Sequence, residues 1–326
     1  MPLSLVGSEM CIRDRTRTVL IEEIKSDNSL KIRKWVKFFV WKIAIATLLL
    51  MAVGSATRVM NAGLACPDWP LCYGQLVPTK QMNLQVFLEW FHRLDASLIG
   101  ISTITLLIIS CWFRKQLPKW LPWSAMLALM LILVQGILGG LTVTRMLRFD
   151  IVTAHLGTAL LFFGVLVVIA VSLSPPLEVK SESNLHWVGL PVTFLIYIQC
   201  LLGGLVGSRW ALHQCLEESQ LCTVMNSHII GVIPTTLGVL SLVFMVWRNQ
   251  NIHSSLKKLV WLAGGIIMCQ VFLGIATFYL RLQVEPLTIT HHTIGVILFG
   301  TLVALTTLAI RSVPRKNNFP SVAHKL

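Results

Sequence analysis

Five histidines stand inside apolar stretches of this chain: His92 in Glu-Trp-Phe-His-Arg, His155 in Thr-Ala-His-Leu-Gly, His228 in Asn-Ser-His-Ile-Ile-Gly, and His291–His292 in Thr-His-His-Thr-Ile-Gly. An imidazole binds metals through either ring nitrogen, and a polar side chain at membrane depth is costly and usually functional. Taken singly, each has a bland reading as a hydrogen-bonded structural residue. Four at one depth on alternating helices are harder to explain that way. They divide as two per half of the chain, whereas structural zinc takes four ligands on one ion, usually with thiolates at close loop spacing. Two imidazoles approaching a flat cofactor from opposite sides are what a haem iron needs, and facing helices supply them. A proton-relay transporter would also use buried histidine, but it usually adds acids near mid-membrane, and no span here has one in its central region. A small residue follows four positions after His92, His155 and His291 (Ala96, Ala159 and Gly295), which selects His291 as the fourth ligand with His292 as the alternative. His186, His213, His253 and His324 fall in loops, at loop edges or in a tail and read as solvated.

Glu89 precedes His92 by three residues, so both share a helix face. It reads either as a base or electrostatic group or as an acid that stabilises a helix N-terminus. No acid holds the matching place before His155, His228 or His291, an asymmetry that puts chemistry in the first half and an accessory group in the second. Arg58, Arg145 and Arg209 stand near the same helix ends. A guanidinium there pairs bidentately with carboxylates such as haem propionates or merely snorkels to the interface. Cys66 and Cys72 lie in one loop, Cys215 and Cys222 in another, separated by six and seven residues. One pair per half, in loops on an oxidising side, argues for two local disulfides; free thiols or metal ligands are the alternatives. Cys111, Cys200 and Cys269 read as small apolar residues within spans.

The elements that must carry these residues follow from composition. Of the 326 residues 55% are hydrophobic and only 13% charged, about half the charge of a soluble domain, which excludes a soluble enzyme. Apolar runs of about 20 residues fall near 38–58, 87–112, 121–143, 151–174, 187–207, 226–247, 258–280 and 288–311. The expected fold is an all-α membrane protein of eight transmembrane helices. The net charge of +13 sits in short connections, so it reads as topology-setting charge facing membrane lipid and not as a nucleic-acid surface. One side collects 18 lysines and arginines against 7 on the other, which places both termini in the cytoplasm by the positive-inside rule. The third span ends Gln135-Gly-Ile-Leu-Gly-Gly-Leu-Thr-Val-Thr-Arg145 and the fifth Gln199-Cys-Leu-Leu-Gly-Gly-Leu-Val-Gly-Ser-Arg209. The seventh repeats Gln270-Val-Phe-Leu-Gly274, and the first carries Gly54 and Arg58. This repeat predicts two pseudo-symmetric four-helix bundles, over 38–174 and 187–311, flanked by basic tails at 16–37 and 312–326. Residues 1–15 are set aside: Glu9-Met-Cys-Ile-Arg-Asp-Arg15 resembles the translated end of a transposon adapter used for sequencing libraries, a genuine short tail being the alternative.

Gly63-Leu-Ala-Cys-Pro-Asp-Trp-Pro-Leu-Cys-Tyr-Gly74, the Glu89-x-x-His92-Arg93 motif and one histidine per even helix resemble the haem A synthase family over about residues 38–311. The resemblance implies oxidation of the C8 methyl of haem O to a formyl group, by successive hydroxylations and loss of water, to give haem A for terminal oxidases. It implies that His92 and His155 ligate the substrate haem O with Glu89 as the catalytic carboxylate. It further implies that His228 and His291 hold a haem b (iron protoporphyrin IX) as electron relay. The cysteine pairs match the branch that keeps them, which favours a bacterial inner membrane. Haem O synthase and terminal oxidase assembly are the implied partners. One departure stands out, His228-Ile in place of a second His-Arg. A dihaem b-type electron carrier and, less strongly, a haem transporter are the competing readings; Glu89 in one half alone favours the enzyme.

Overall fold

The computed structural model describes residues 4–179, 184–207, 220–249 and 251–314, with side chains described for 27–178, 184–207, 223–249 and 251–312. Arg209 and Cys215 lie outside the described residues, as does the side chain of Cys222. The chain forms helices α1 (Ser4–Val59), α2 (Leu84–Trp112), α3 (Leu121–Thr144), α4 (Phe149–Ser172), α5 (Leu185–Val206), α6 (Gln220–Arg248), α7 (Ser254–Tyr279) and α8 (Glu285–Ile310). Each contains a segment long and apolar enough to cross a bilayer, which makes this a multi-pass membrane protein. The bounds match the apolar runs to within a few residues, except that α1 continues back through the basic stretch expected as a tail.

Local signals explain the helix starts. The Asn83 side chain accepts a hydrogen bond from the Val86 N–H at the head of α2, a cap for otherwise orphaned amides. Pro122 and Pro286 stand in the first turns of α3 and α8, where a missing N–H costs nothing. The turn after α3 places Met146 and Leu147 at φ of 52° and 57°, and the turn after α7 places Arg281 and Leu282 at 51° and 56°. In each turn the second residue donates its N–H to a threonine carbonyl five positions back, Leu147 to Thr142 and Leu282 to Thr277. The left-handed region is strained for such side chains, so its appearance in both turns marks one local design used twice.

Helices α1–α4 contact one another in a closed ring, and α5–α8 do the same. Between the rings α1 touches α8, α4 touches α5, and α4 touches α8. These relations survive exchange of the two sets of four, as two related bundles require. The centre lies along α4 and α8, whose most apolar windows are 56% and 67% buried against 11–33% for the other six spans. There the packing is reciprocal. A Cβ at Gly164 would lie 3.4 Å from Phe299, and a Cβ at Gly300 would lie 2.7 Å from Phe163. Each Phe-Gly pair thus inserts its ring where the other lacks a side chain, the self-complementary contact expected at a two-fold relation.

At the end of the bundles away from the histidines, Arg33 of α1 donates to the Leu173 carbonyl at 2.7 Å, and Arg311 donates to the Val171 and Ser174 carbonyls at 3.0 Å each. Both cations meet the negative end of the α4 dipole. Beside them a two-residue strand β1 (Glu178–Val179) pairs in parallel with β2 (Val313–Pro314).

The reciprocal packing sets a graded expectation. Gly300→Ala should lower stability by about 1–3 kcal/mol through overpacking, and Gly164→Ala, with its looser 3.4 Å contact, should cost less. Thermal unfolding of the purified variants in detergent measures the difference, and equal midpoints would contradict the packing described.

Candidate functional site

The four paired histidines share one local construction. A Cβ at Gly54 of α1 would lie 2.9 Å from His92 Cε1, and one at Gly139 of α3 would lie 3.5 Å from His155 Cε1. On the other side, Gly203 of α5 would meet His228 at 2.9 Å and Gly274 of α7 would meet His291 at 3.1 Å. Each ring therefore lies against the backbone of the preceding helix, and at Gly54, Gly203 and Gly274 a side chain would crowd it. The Nδ1 atoms of His92, His155, His228, His291 and His292 are buried without hydrogen-bond partners, a state that buried polar atoms rarely occupy.

Glutamines secure three of these helices. Gln135 Nε2 donates to the His155 carbonyl at 2.9 Å, Gln199 to the His228 carbonyl at 2.5 Å, and Gln270 to the His291 carbonyl at 2.9 Å. Each glutamine stands four residues before its ring-contacting glycine. Gly231 and Gly295 admit the Gln199 and Gln270 side chains, while Gly157 faces Tyr197 and Leu201. The sequence showed the Gln-x-x-x-Gly repeat but not its purpose.

The His228 and His291 rings are 6.4 Å apart between centres and perpendicular. A metal–imidazole bond is about 2 Å and the ring centre lies about 1 Å behind the nitrogen, so two imidazoles sharing one metal have centres about 6 Å apart. The pair fits a bis-histidine haem iron. Among the described residues no three His, Cys, Asp or Glu side chains gather around a common point, so the donors favour pairs over a four-ligand ion. In the first bundle His155 lies within electrostatic reach of His92. His292 is half-buried with its Nδ1 unpaired. Arg58 donates to the Gly204 carbonyl across the bundle boundary, and Arg145 is exposed at the end of α3. The Phe-Gly pairs give a further alignment signal that went unused: Gly164 follows His155, and Gly300 follows His291, by the same nine positions.

Glu89 is buried and fully engaged. One oxygen pairs with Arg93 at 2.5 Å, and the other accepts the Cys66 N–H at 2.8 Å. Arg93 also donates to the carbonyls of Asp68 at 2.6 Å, Leu71 at 2.5 Å and Cys66 at 3.3 Å. Cys66 and Cys72 form a disulfide. Trp90 donates its indole N–H to the Leu76 carbonyl at 2.7 Å. The loop between α1 and α2 is thus folded down onto the first turns of α2. From it Trp69 reaches Gly140 of α3, 3.2 Å from where a Cβ would stand, beside the glycine that meets His155. The roles of Arg93 and Trp69 in seating this loop were not evident from spacing.

The COX15-CtaA family model, described as cytochrome oxidase assembly protein, matches residues 37–303. A haem A synthase of Shewanella oneidensis is 28% identical over 80% of this chain and 92% of its own length. One of Lysinibacillus sphaericus is 22% identical over 86% and 96%. A third, of Geobacillus kaustophilus, is 35% identical over 46% of this chain and 47% of its own.

The loop carries its own pH dependence. Asp68 accepts the Gly74 N–H at 2.7 Å and the Tyr73 N–H at 2.6 Å, and these bonds hold its pKa below the ordinary 3.8. A depressed folded pKa gives stability that is present above the unfolded value and lost as pH falls through the folded one. Amide exchange at Tyr73 and Gly74 should therefore accelerate, relative to its intrinsic rate, only below pH 3.8, and Asp68→Asn should remove that pH step.

Proposed function

Because the chain belongs to the COX15-CtaA family of cytochrome oxidase assembly proteins, we propose that it is a membrane oxidoreductase that converts haem O into haem A. The supporting observation is the fourfold glycine–imidazole construction, divided two and two, with an acid beside one pair alone. In this reading His92 and His155 hold the substrate haem O. His228 and His291 hold a haem b, for which Fe-bound imidazoles at the 6.4 Å ring spacing are apt. That group would supply one-electron transfer, with its potential set by ligand identity and burial.

The chain's own residues do the positioning. The glycines let each ring approach a neighbouring backbone, and the glutamines fix the height of the helices that carry His155, His228 and His291. Glu89 is a catalytic carboxylate whose charge is held one turn from His92 by Arg93 and the Cys66 N–H. Arg58, Arg145 and Arg209 are assigned to propionates, and Arg58 would have to share its guanidinium between a propionate and the Gly204 carbonyl. Cys215 and Cys222 are assigned a second disulfide by analogy with Cys66–Cys72. The distribution of lysine and arginine supports cytoplasmic termini, and the two cysteine pairs favour a bacterial inner membrane. An enzyme making haem O and oxidases receiving haem A are the corresponding partners.

Expression with a source of haem O, followed by extraction of the porphyrins, tests the reading. Wild type should yield haem A, and both Glu89→Gln and Glu89→Ala should abolish it. Unaltered haem O alongside two retained b haems would instead indicate an electron carrier. In the same preparation His228→Ala should lose haem b while haem O remains bound in the first bundle.

A further inference from the structure

The glutamine clamp occurs at three of the four histidines. At the fourth place, four residues before Gly54, stands Leu50, which has no amide to donate. The spatial equivalence is direct: a Cβ at Gly54 would lie 2.9 Å from His92 Cε1, as one at Gly203 would from His228 and one at Gly274, at 3.1 Å, from His291. Helix α2 therefore lacks the side-chain amide clamp that ties the other three histidine-bearing helices to their neighbours. Its remaining polar ties, through Glu89, Arg93 and Trp90, run to the loop above and not to a neighbouring helix.

We propose that the missing clamp makes the first bundle the exchangeable site, with porphyrin entering and leaving as the histidine-bearing end of α2 moves off α1, while Gln199 and Gln270 lock both walls of the second. This rests on the assignment of haem O to the first bundle and haem b to the second. A substrate site must release its product every cycle, and a relay site must not. Interhelical hydrogen bonds within membranes resist separation modestly, each worth about 3- to 20-fold in an equilibrium. One such bond present or absent is enough to tune a departure rate without changing the fold. Gln135 keeps the His155 wall of the first bundle fixed, so the movement belongs to α2. The glutamines are positioning residues, and touch the ligand only through the helices they hold.

Purified holoprotein carrying haem O and haem b, incubated with excess apomyoglobin, provides the test. The haem remaining at intervals is extracted and the two types are separated chromatographically. Leu50→Gln should slow loss of haem O by about 3- to 20-fold and leave haem b unchanged; Gln270→Leu should hasten loss of haem b and leave haem O unchanged. Loss of haem O at the wild-type rate from Leu50→Gln, or equal effects on both haems from either variant, overturns the proposal. His92→Ala separates the two levels of the argument. If it does not weaken haem O binding at the outset, the site assignment falls and takes the clamp argument with it. If it does, an unaltered rate in Leu50→Gln defeats the clamp argument alone.

Discussion

A histidine ring pressed against a neighbouring helix is possible only where that helix has given up its side chain. Gly54, Gly203 and Gly274 make this concession, Gly139 stands at the matching place, and the four half-buried rings each have a buried Nδ1 unpaired. Each glycine also removes the bulk that would hold two helices apart, so close approach of backbones and burial of the imidazole come from the same substitution. The turns, the reciprocal Phe-Gly contacts and the glutamine clamps bring those glycines and histidines to matching heights. The unpaired nitrogen leaves each of these rings with a polar atom to offer a ligand.

Several departures from the repeated plan gather in one quarter of the molecule. Among the described residues helix α2 has the buried acid, the Arg93 that binds the loop carbonyls, and a histidine whose neighbour lacks a glutamine. Evenly repeated elements build the frame, and α2 carries these exceptions to it.

Much of this was legible in the residues. Long apolar runs fixed the eight spans because a bilayer imposes a length on any helix that crosses it, and the cost of burying imidazole singled out the histidines. Other features escaped for physical reasons. Charge in the stretch before residue 38 reports solvent contact and not backbone conformation, so the backward extension of α1 left no mark. A small residue beside a histidine does not say what fills the space it leaves, and at Gly231 and Gly295 that space is taken by glutamines from adjacent helices. Composition reveals that room has been made but not who occupies it. The partners of Glu89 escaped because sequence distance to Cys66 says nothing of the loop that folds back over it.

The boundary between the bundles is riveted at two levels. Arg311 fastens the end of α8 to a carbonyl of α4, and near the opposite face Arg58 reaches from α1 to the backbone of α5. Fastened above and below, the halves cannot shear or scissor without breaking charged hydrogen bonds on one level or the other. Mechanical compliance is thereby pushed to the outlying helices, and the central pair serves as a stiff keel around which they flex.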